Sequence, residues 1–340
     1  MSSVEQPANP SVEPMLRVED MVVEFRLSKR ETVHAVSGVS FEIYPGETLG
    51  LVGESGCGKS TTARAVMQLP VPTSGKVILN GTELTSLRGE ALRRQRRDFQ
   101  IIFQDPISSL NPRRKVSDIV EMPLVVMKEG TPEERAARVR EVLEAVGLDP
   151  DTALDRRPFQ FSGGQCQRIS IARALVSEPR MLICDEPVSA LDVSVQSQVL
   201  NLLVELQREL GLSYLFIAHD LAVVKHISDR VAVMYLGKLV EVAGADEIYH
   251  NPRHAYTKAL LSAVPIPDPT VKRERKALVG DVPSPIDPPA GSAFGHRISH
   301  PKYEESIGMD LGLVEIERDH WVARDPCCLT SEDWGRVRML

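Results

Sequence analysis

Residues 48–67 read TLGLVGESGCGKSTTARAVM, and this stretch decides the fold. Thr48–Gly53 is a short apolar run of the kind that forms a buried strand. GESGCGKS at 53–60 fits G-x-x-x-x-G-K-[ST], and Thr61–Met67 continues as a helical run. Gly53, Gly56 and Gly58 let backbone N–H groups turn inward around phosphate oxygens, and the new helix points its positive end at them. Lys59 is placed to reach the β- and γ-phosphates of a nucleotide, and Ser60 to bind Mg2+ through its hydroxyl. Glu54, Ser55, Cys57 and Thr61 complete the loop. A glycine-rich turn that matches by chance is the competing reading, and the strand before and helix after argue against it. By itself the loop specifies a nucleotide, not what is done with it. Cys57 lies at a helix N-terminus, which predicts a lowered thiol pKa and a site where oxidation or alkylation blocks nucleotide binding. A tolerated small loop residue is the plainer account.

Downstream, residues 181–186 read MLICDE. Four apolar residues place Asp185 at the end of a buried strand, where an acid can hold Mg2+ through water. Glu186 beside it can polarise an attacking water as general base. A strand entering a solvated turn looks the same, and only the pairing with the phosphate loop favours chemistry. Ser213–Ala218 and Val231–Tyr235 are further strand-sized apolar runs, while Val193–Leu210 and Thr131–Val146 carry apolar residues at helical spacing. Strands alternating with helices predict an α/β fold with a largely parallel sheet. A helical subdomain of about 105–178 interrupts it, of which 105–155 lacks any buried-strand pattern. Past Pro265, PIPDP and VPSPIDPPAGS are too rich in proline for a sheet core. The predicted division is a disordered tail over 1–14, a nucleotide-binding domain over 15–264 and a small C-terminal appendage over 265–340.

Composition narrows the classes. The 340 residues are 42% hydrophobic and 26% charged, ordinary for a globular protein, with a net charge of −7. That balance argues against a nucleic-acid partner held by bulk electrostatics. No apolar run approaches the roughly 20 residues a membrane-spanning helix needs. MSSVEQPANPSVEP lacks the basic and apolar regions of a signal peptide. The five cysteines, Cys57, Cys166, Cys184, Cys327 and Cys328, are odd in number and irregular in spacing, which predicts no disulfide framework. RRQRR at Arg93–Arg97 reads as a solvated helix face, and Phe159 as a packing residue.

Residues 161–165 read FSGGQ ahead of a helical run, Arg168–Leu175. Ser162 and the following backbone N–H groups offer a second anion site, redundant unless it serves a different nucleotide. FSGGQ resembles the signature motif of ABC ATPases. IIFQDP at 101–106, SALD at 189–192 and FIAHDL at 216–221 resemble that family's Q-loop, D-loop and switch-histidine motifs, in the family's order. FQDPISSLNPR, DEPVSALDVSVQSQVLNLLVELQ, FIAHDLAVVKHISDRVAVMYLGKLVE and HNPRHAYTKALLSAVP are similar to the ATPase subunits of dipeptide and oligopeptide importers, the "F" member more than the "D" member.

The resemblance implies a P-loop NTPase fold of ABC-ATPase type, with the helical insertion and C-terminal appendage above. It implies ATP and Mg2+ as cofactors and ATP hydrolysis coupled to peptide import. One site would take Gly53–Ser60, Thr61, Gln104 (also toward Mg2+), Asp185, Glu186 and His219, with Phe25 stacking on adenine unless it is a core residue. Ser162, Gly163, Gly164 and Gln165 would act in trans on a partner's nucleotide, beside the D-loop Asp192. Implied partners are a second, non-identical ATP-binding subunit, two integral membrane permease subunits and an extracytoplasmic solute-binding protein, at the cytoplasmic face of the membrane. Nickel and glutathione use similar ATPases. A non-transport ABC ATPase and a P-loop kinase are the remaining alternatives; the kinase leaves FSGGQ and SALD unexplained. Some relatives hold an iron–sulfur cluster in a cysteine-rich tail. Here Ser292, Ile298 and Arg324 stand where cysteines would be, so no cluster is expected. Cys166 replaces a usual basic residue after the signature, with little effect predicted on hydrolysis.

Overall fold

The computed structural model describes residues 12–263 and 280–339, with side chains to Gly335. Most of the 1–14 tail, together with Val264 and PIPDP, lies outside these residues. The strands are β1 (Leu16–Arg26), β2 (Thr32–Ile43), β3 (Thr48–Val52), β4 (Ser74–Leu79), β5 (Thr82–Glu83), β6 (Phe99–Ile102), β7 (Met181–Asp185), β8 (Ser213–Ile217), β9 (Arg230–Tyr235), β10 (Lys238–Gly244), β11 (Leu313–Glu317) and β12 (His320–Ala323). They form an antiparallel sheet ordered β2-β1-β4-β5 and a larger sheet ordered β11-β12-β10-β9-β3-β8-β7-β6. Within the larger sheet β9, β3, β8, β7 and β6 run parallel to one another, and β10 is antiparallel to β9.

Burial on both faces explains why the parallel strands read as unbroken apolar runs. Every residue of β3, β7 and β8 is buried. On β7, Met181 and Ile183 enter one apolar core and Leu182 and Cys184 the other, as the two-residue strand period requires. One core fills the space between the two sheets around helix Lys59–Val66. The other lies under the remaining helices.

Between β6 and β7 the chain is helical: Pro106–Ser109, Val116–Met127, Pro132–Ala145, Pro150–Ala153 and Gly163–Leu175. Helix Pro132–Ala145 begins with proline at its first position and a Thr131–Glu134 capping box, which together satisfy its open N–H groups. Its Val139, Val142 and Leu143 pack in one apolar cluster with Val116, Ile119 and Val120 and with Ile169 and Ala172.

The C-terminal residues depart from the sequence expectation. Proline-rich segments were read as incompatible with a sheet core, yet β12 pairs antiparallel with β10, and β11 with β12, extending the main sheet. The prolines cluster before Ala290, whereas LVEIE and HWVA contain none and are free to pair.

Candidate nucleotide site

The parallel order puts the C-terminal ends of β3, β6, β7 and β8 on one edge, where ligands of open α/β sheets bind. Off β3 runs the phosphate loop. A Cβ at Gly53 would lie 2.1 Å from the Met234 carbonyl oxygen, and one at Gly58 2.3 Å from that of Ala35, so neither position admits a side chain. Helix Lys59–Val66 starts without a side-chain cap and without an acidic residue in its first turn, leaving its N–H groups and positive end to an anion. Lys59 is buried and donates to the carbonyls of Gly53 (2.8 Å) and Glu54 (2.9 Å), which holds the ammonium over the loop. Ser55 and Gly56 are exposed and Thr61 is half-buried.

Ser60 Oγ donates to Asp185 Oδ1 at 2.7 Å. Asp185 is fully buried, and among the described residues its Oδ2 has no hydrogen-bond partner, with Arg64 Nη2 3.6 Å away. Burial pushes the Asp185 carboxyl above the usual range, opposed by the Ser60 hydroxyl and Arg64. A buried acid with an unused oxygen beside a serine hydroxyl fits a hydrated divalent cation.

Three side chains meet one edge away. Gln104, past β6, donates to Glu186 Oε2 at 2.9 Å. His219, past β8, has Nδ1 3.4 Å from the same oxygen. Glu186 sits at φ 49°, a left-handed backbone that costs a non-glycine residue roughly 1–3 kcal/mol, and its N–H donates to Ile217. The surrounding strands hold that strain and aim the carboxylate at the strand ends.

The remaining candidates lie elsewhere. Ser162 caps helix Gly163–Leu175 in a reciprocal box with Gln165, and both are exposed. Among the described residues no hydrogen bond or ion pair joins Ser162–Gln165 to Gly53–Ser60. Gly164 packs on helix Val193–Leu210: a Cβ there would lie 2.4 Å from Val195 Cγ1. Asp192 stands at the N-cap of that helix without spending its side chain on the cap. Phe25, on β1, is 41% exposed, so it is not a core residue.

Three expectations are corrected. Cys57 is buried, and burial pushes its thiol pKa up despite Lys59, so the helix N-terminus does not create a reactive thiolate. Phe159 does not pack: it is 70% exposed. RRQRR is only partly a solvated face. Arg93 pairs with Glu90 and Arg97 with Glu129, but Arg96 donates to the carbonyls of Met67 and Gln68, closing the end of the phosphate-loop helix.

Two residues were missed. Tyr256 accepts the Glu54 N–H at 3.0 Å, and Arg297 contacts both Glu54 carboxylate oxygens. They lie 202 and 243 positions away, beyond any local signal. The tail does not fit an iron–sulfur cluster. Ser292 donates to Asp325, and Cys327 and Cys328 are the only thiols of the C-terminal region, two where a four-thiolate cluster needs four.

Comparison with known proteins agrees with this geometry. Residues 36–189 match the ABC transporter family, and residues 240–300 the oligopeptide/dipeptide transporter C-terminal region. The chain is 53% identical over 294 residues to the oligopeptide transport ATP-binding protein OppF of Salmonella typhimurium, covering 83% of this chain and 88% of that one. It is 51% identical over 315 residues to the putative oligopeptide transport ATP-binding protein YkfD of Bacillus subtilis, covering 91% and 94%. Among solved structures, the dimeric post-hydrolysis state of the ATP-binding cassette MJ0796 bound to ADP and Pi superposes with a TM-score of 0.62 at 29% identity, covering 68% of this chain and 99% of that one. A strand-edge phosphate loop, an acid pair beside it and this relatedness over most of the length place the chain in the ABC transporter ATPases, in the branch of oligopeptide transport ATP-binding proteins.

Proposed function

We propose that this chain is the ATP-hydrolysing subunit of a peptide importer and that it works as one half of a nucleotide-sandwiching pair. The observation that carries the reading is the meeting of Gln104, Glu186 and His219 at one carboxylate oxygen, beside the Ser60–Asp185 pair. In that arrangement Gly53–Thr61 binds the triphosphate. Ser60, Asp185 and Gln104 would hold Mg2+, which would neutralise phosphate charge. Glu186 takes the proton of the attacking water, and His219 and Gln104 orient that carboxylate. The exposed Phe25 stacks on adenine. The test is Glu186→Gln in the assembled transporter: ATP binding persists while turnover falls. Normal turnover would remove Glu186 from this role.

The signature residues Ser162–Gln165 and Asp192 act on the nucleotide of a second, non-identical ATP-binding subunit. ATP then joins the subunits, because it binds the closed pair more tightly than either half. The ATPase carries no helix long and apolar enough to cross a membrane among the described residues. Membrane permease subunits therefore supply the passage, and an extracytoplasmic solute-binding protein delivers cargo. Ile107 and Phe159, 62% and 70% exposed on the helical insertion, suit contact with those permeases. Peptides are the cargo favoured by the relatives. Identifying the solute-binding protein that co-purifies, and its bound ligand, separates peptides from nickel or glutathione.

A further inference from the structure

We propose that the C-terminal region clamps the phosphate loop, with Arg297 as a positioning residue for nucleotide binding that acts through Glu54. This rests on the reading of Gly53–Ser60 as the ATP site. Arg297 Nη1 lies 2.6 Å from Glu54 Oε2 and Nη2 lies 3.2 Å from Oε1, a two-pronged pairing of a planar guanidinium with a carboxylate. The Arg297 side chain is only 5% exposed. Its Nε donates to the Gly280 carbonyl at 2.9 Å, so its orientation is fixed from the C-terminal side. Independently, Tyr256 Oη accepts the Glu54 backbone N–H. The rings of Tyr256, Tyr235 and Phe294 pack against one another, with centroids 4.5–5.6 Å apart, behind these contacts.

Both the carboxylate and the amide of Glu54 are thus held by residues beyond position 255. The Glu54 carbonyl meanwhile accepts from Lys59, the residue that meets the phosphates. Two physical consequences follow. The loop carbonyl that steers Lys59 is fixed before nucleotide arrives, which reduces the ordering cost of binding. A glutamate adjoining a triphosphate site is a like charge, and Arg297 neutralises it. Without Arg297, that carboxylate would repel ATP. Gln104, Glu186 and His219 have no hydrogen bond or ion pair with Arg297 or Glu54 among the described residues, so the chemical step is not addressed.

The test uses the full chain with Mg-ATP, measuring affinity by titration calorimetry and KM and kcat in the assembled transporter. Arg297→Met should weaken ATP affinity and raise KM about tenfold, the loss of one charge-assisted pairing, with kcat within about twofold. Because Arg297 acts through Glu54, Arg297→Met should add little in a Glu54→Gln background, the double variant binding ATP as Glu54→Gln alone does; a merely structural arginine would weaken both backgrounds alike. Should Arg297→Met fail to fold, Arg297→Lys, which cannot span both oxygens, and Tyr256→Phe, which loses only the hydroxyl, should each weaken affinity several-fold. Wild-type affinity in the folded Arg297 and Tyr256 variants, or a full further loss from Arg297→Met in the Glu54→Gln background, overturns the clamp. Lys59→Ala runs alongside: if it too binds ATP normally, the phosphate-loop assignment fails instead.

Discussion

Two helices in this chain begin with a glycine-rich, anion-ready turn, and they are built in opposite ways. Helix Lys59–Val66 starts uncapped; its loop glycines press on the Met234 and Ala35 carbonyls, and Lys59 is buried over it. Helix Gly163–Leu175 starts exposed, with Ser162 and Gln165 satisfying each other in a capping box. The first is a finished half-site, shaped by the chain that owns it. The second is a stable surface feature whose own fold asks nothing further of it. A fully formed cradle and a self-satisfied helix start in one polypeptide make sense if the second completes a cradle on a neighbour.

The largest effect that sharpens this contrast is in hydrolysis. Glu186→Gln should lower turnover by on the order of 10²–10⁴-fold, the range of a lost general base, while radiolabelled ATP still binds. Next comes Lys59→Ala, which should weaken ATP affinity roughly tenfold to a hundredfold by calorimetry, as a charge-assisted contact is lost. Ser162→Ala breaks the comparison if it behaves like Lys59→Ala. It should leave ATP affinity of the lone chain at the wild-type level, reduce turnover of the paired form several-fold, and cost about 1 kcal/mol of stability through the lost cap. Smaller still, Cys57 should react with iodoacetamide at pH 8 far more slowly than a thiol in the urea-unfolded chain, since burial keeps it protonated; fast labelling by mass spectrometry would contradict that. The smallest effect lies in acid. Though burial acts the other way, His254 and Ser292 hold the Asp325 carboxyl at about 2, below its ordinary 3.8. Its stabilisation is present above pH 3.8 and is lost as pH falls toward 2. Denaturant melts of Asp325→Asn should therefore depend less on pH across that window than those of the native chain.

How legible each region was follows from range. The phosphate loop declared itself because strand, glycines, lysine and helix are contiguous. Asp185 was readable as the end of an apolar run. Gln104 and His219 carry no local mark of function: each follows a strand of the main sheet, and only the order of motifs along the chain singled them out. Cys57 misled because a local rule about helix N-termini lost to burial, which a loop sequence does not display. Phe159 misled because an aromatic residue was assumed to pack. β11 and β12 were missed because proline-rich neighbours masked two proline-free strands. Arg297 and Tyr256 were invisible, since their contact with Glu54 exists only once β10 and the C-terminal segment have folded back beside β9.

The most direct test combines two faults in one chain of the assembled transporter. Lys59→Ala spoils the cradle the chain keeps for itself, and Ser162→Ala spoils the helix start it lends to its non-identical partner. Each single variant should lose one of the two sites and the double variant both, so ATP turnover of Lys59→Ala with Ser162→Ala should fall well below that of either single variant. A double variant as fast as Lys59→Ala alone, with Ser162→Ala alone turning over at full speed, would contradict the account.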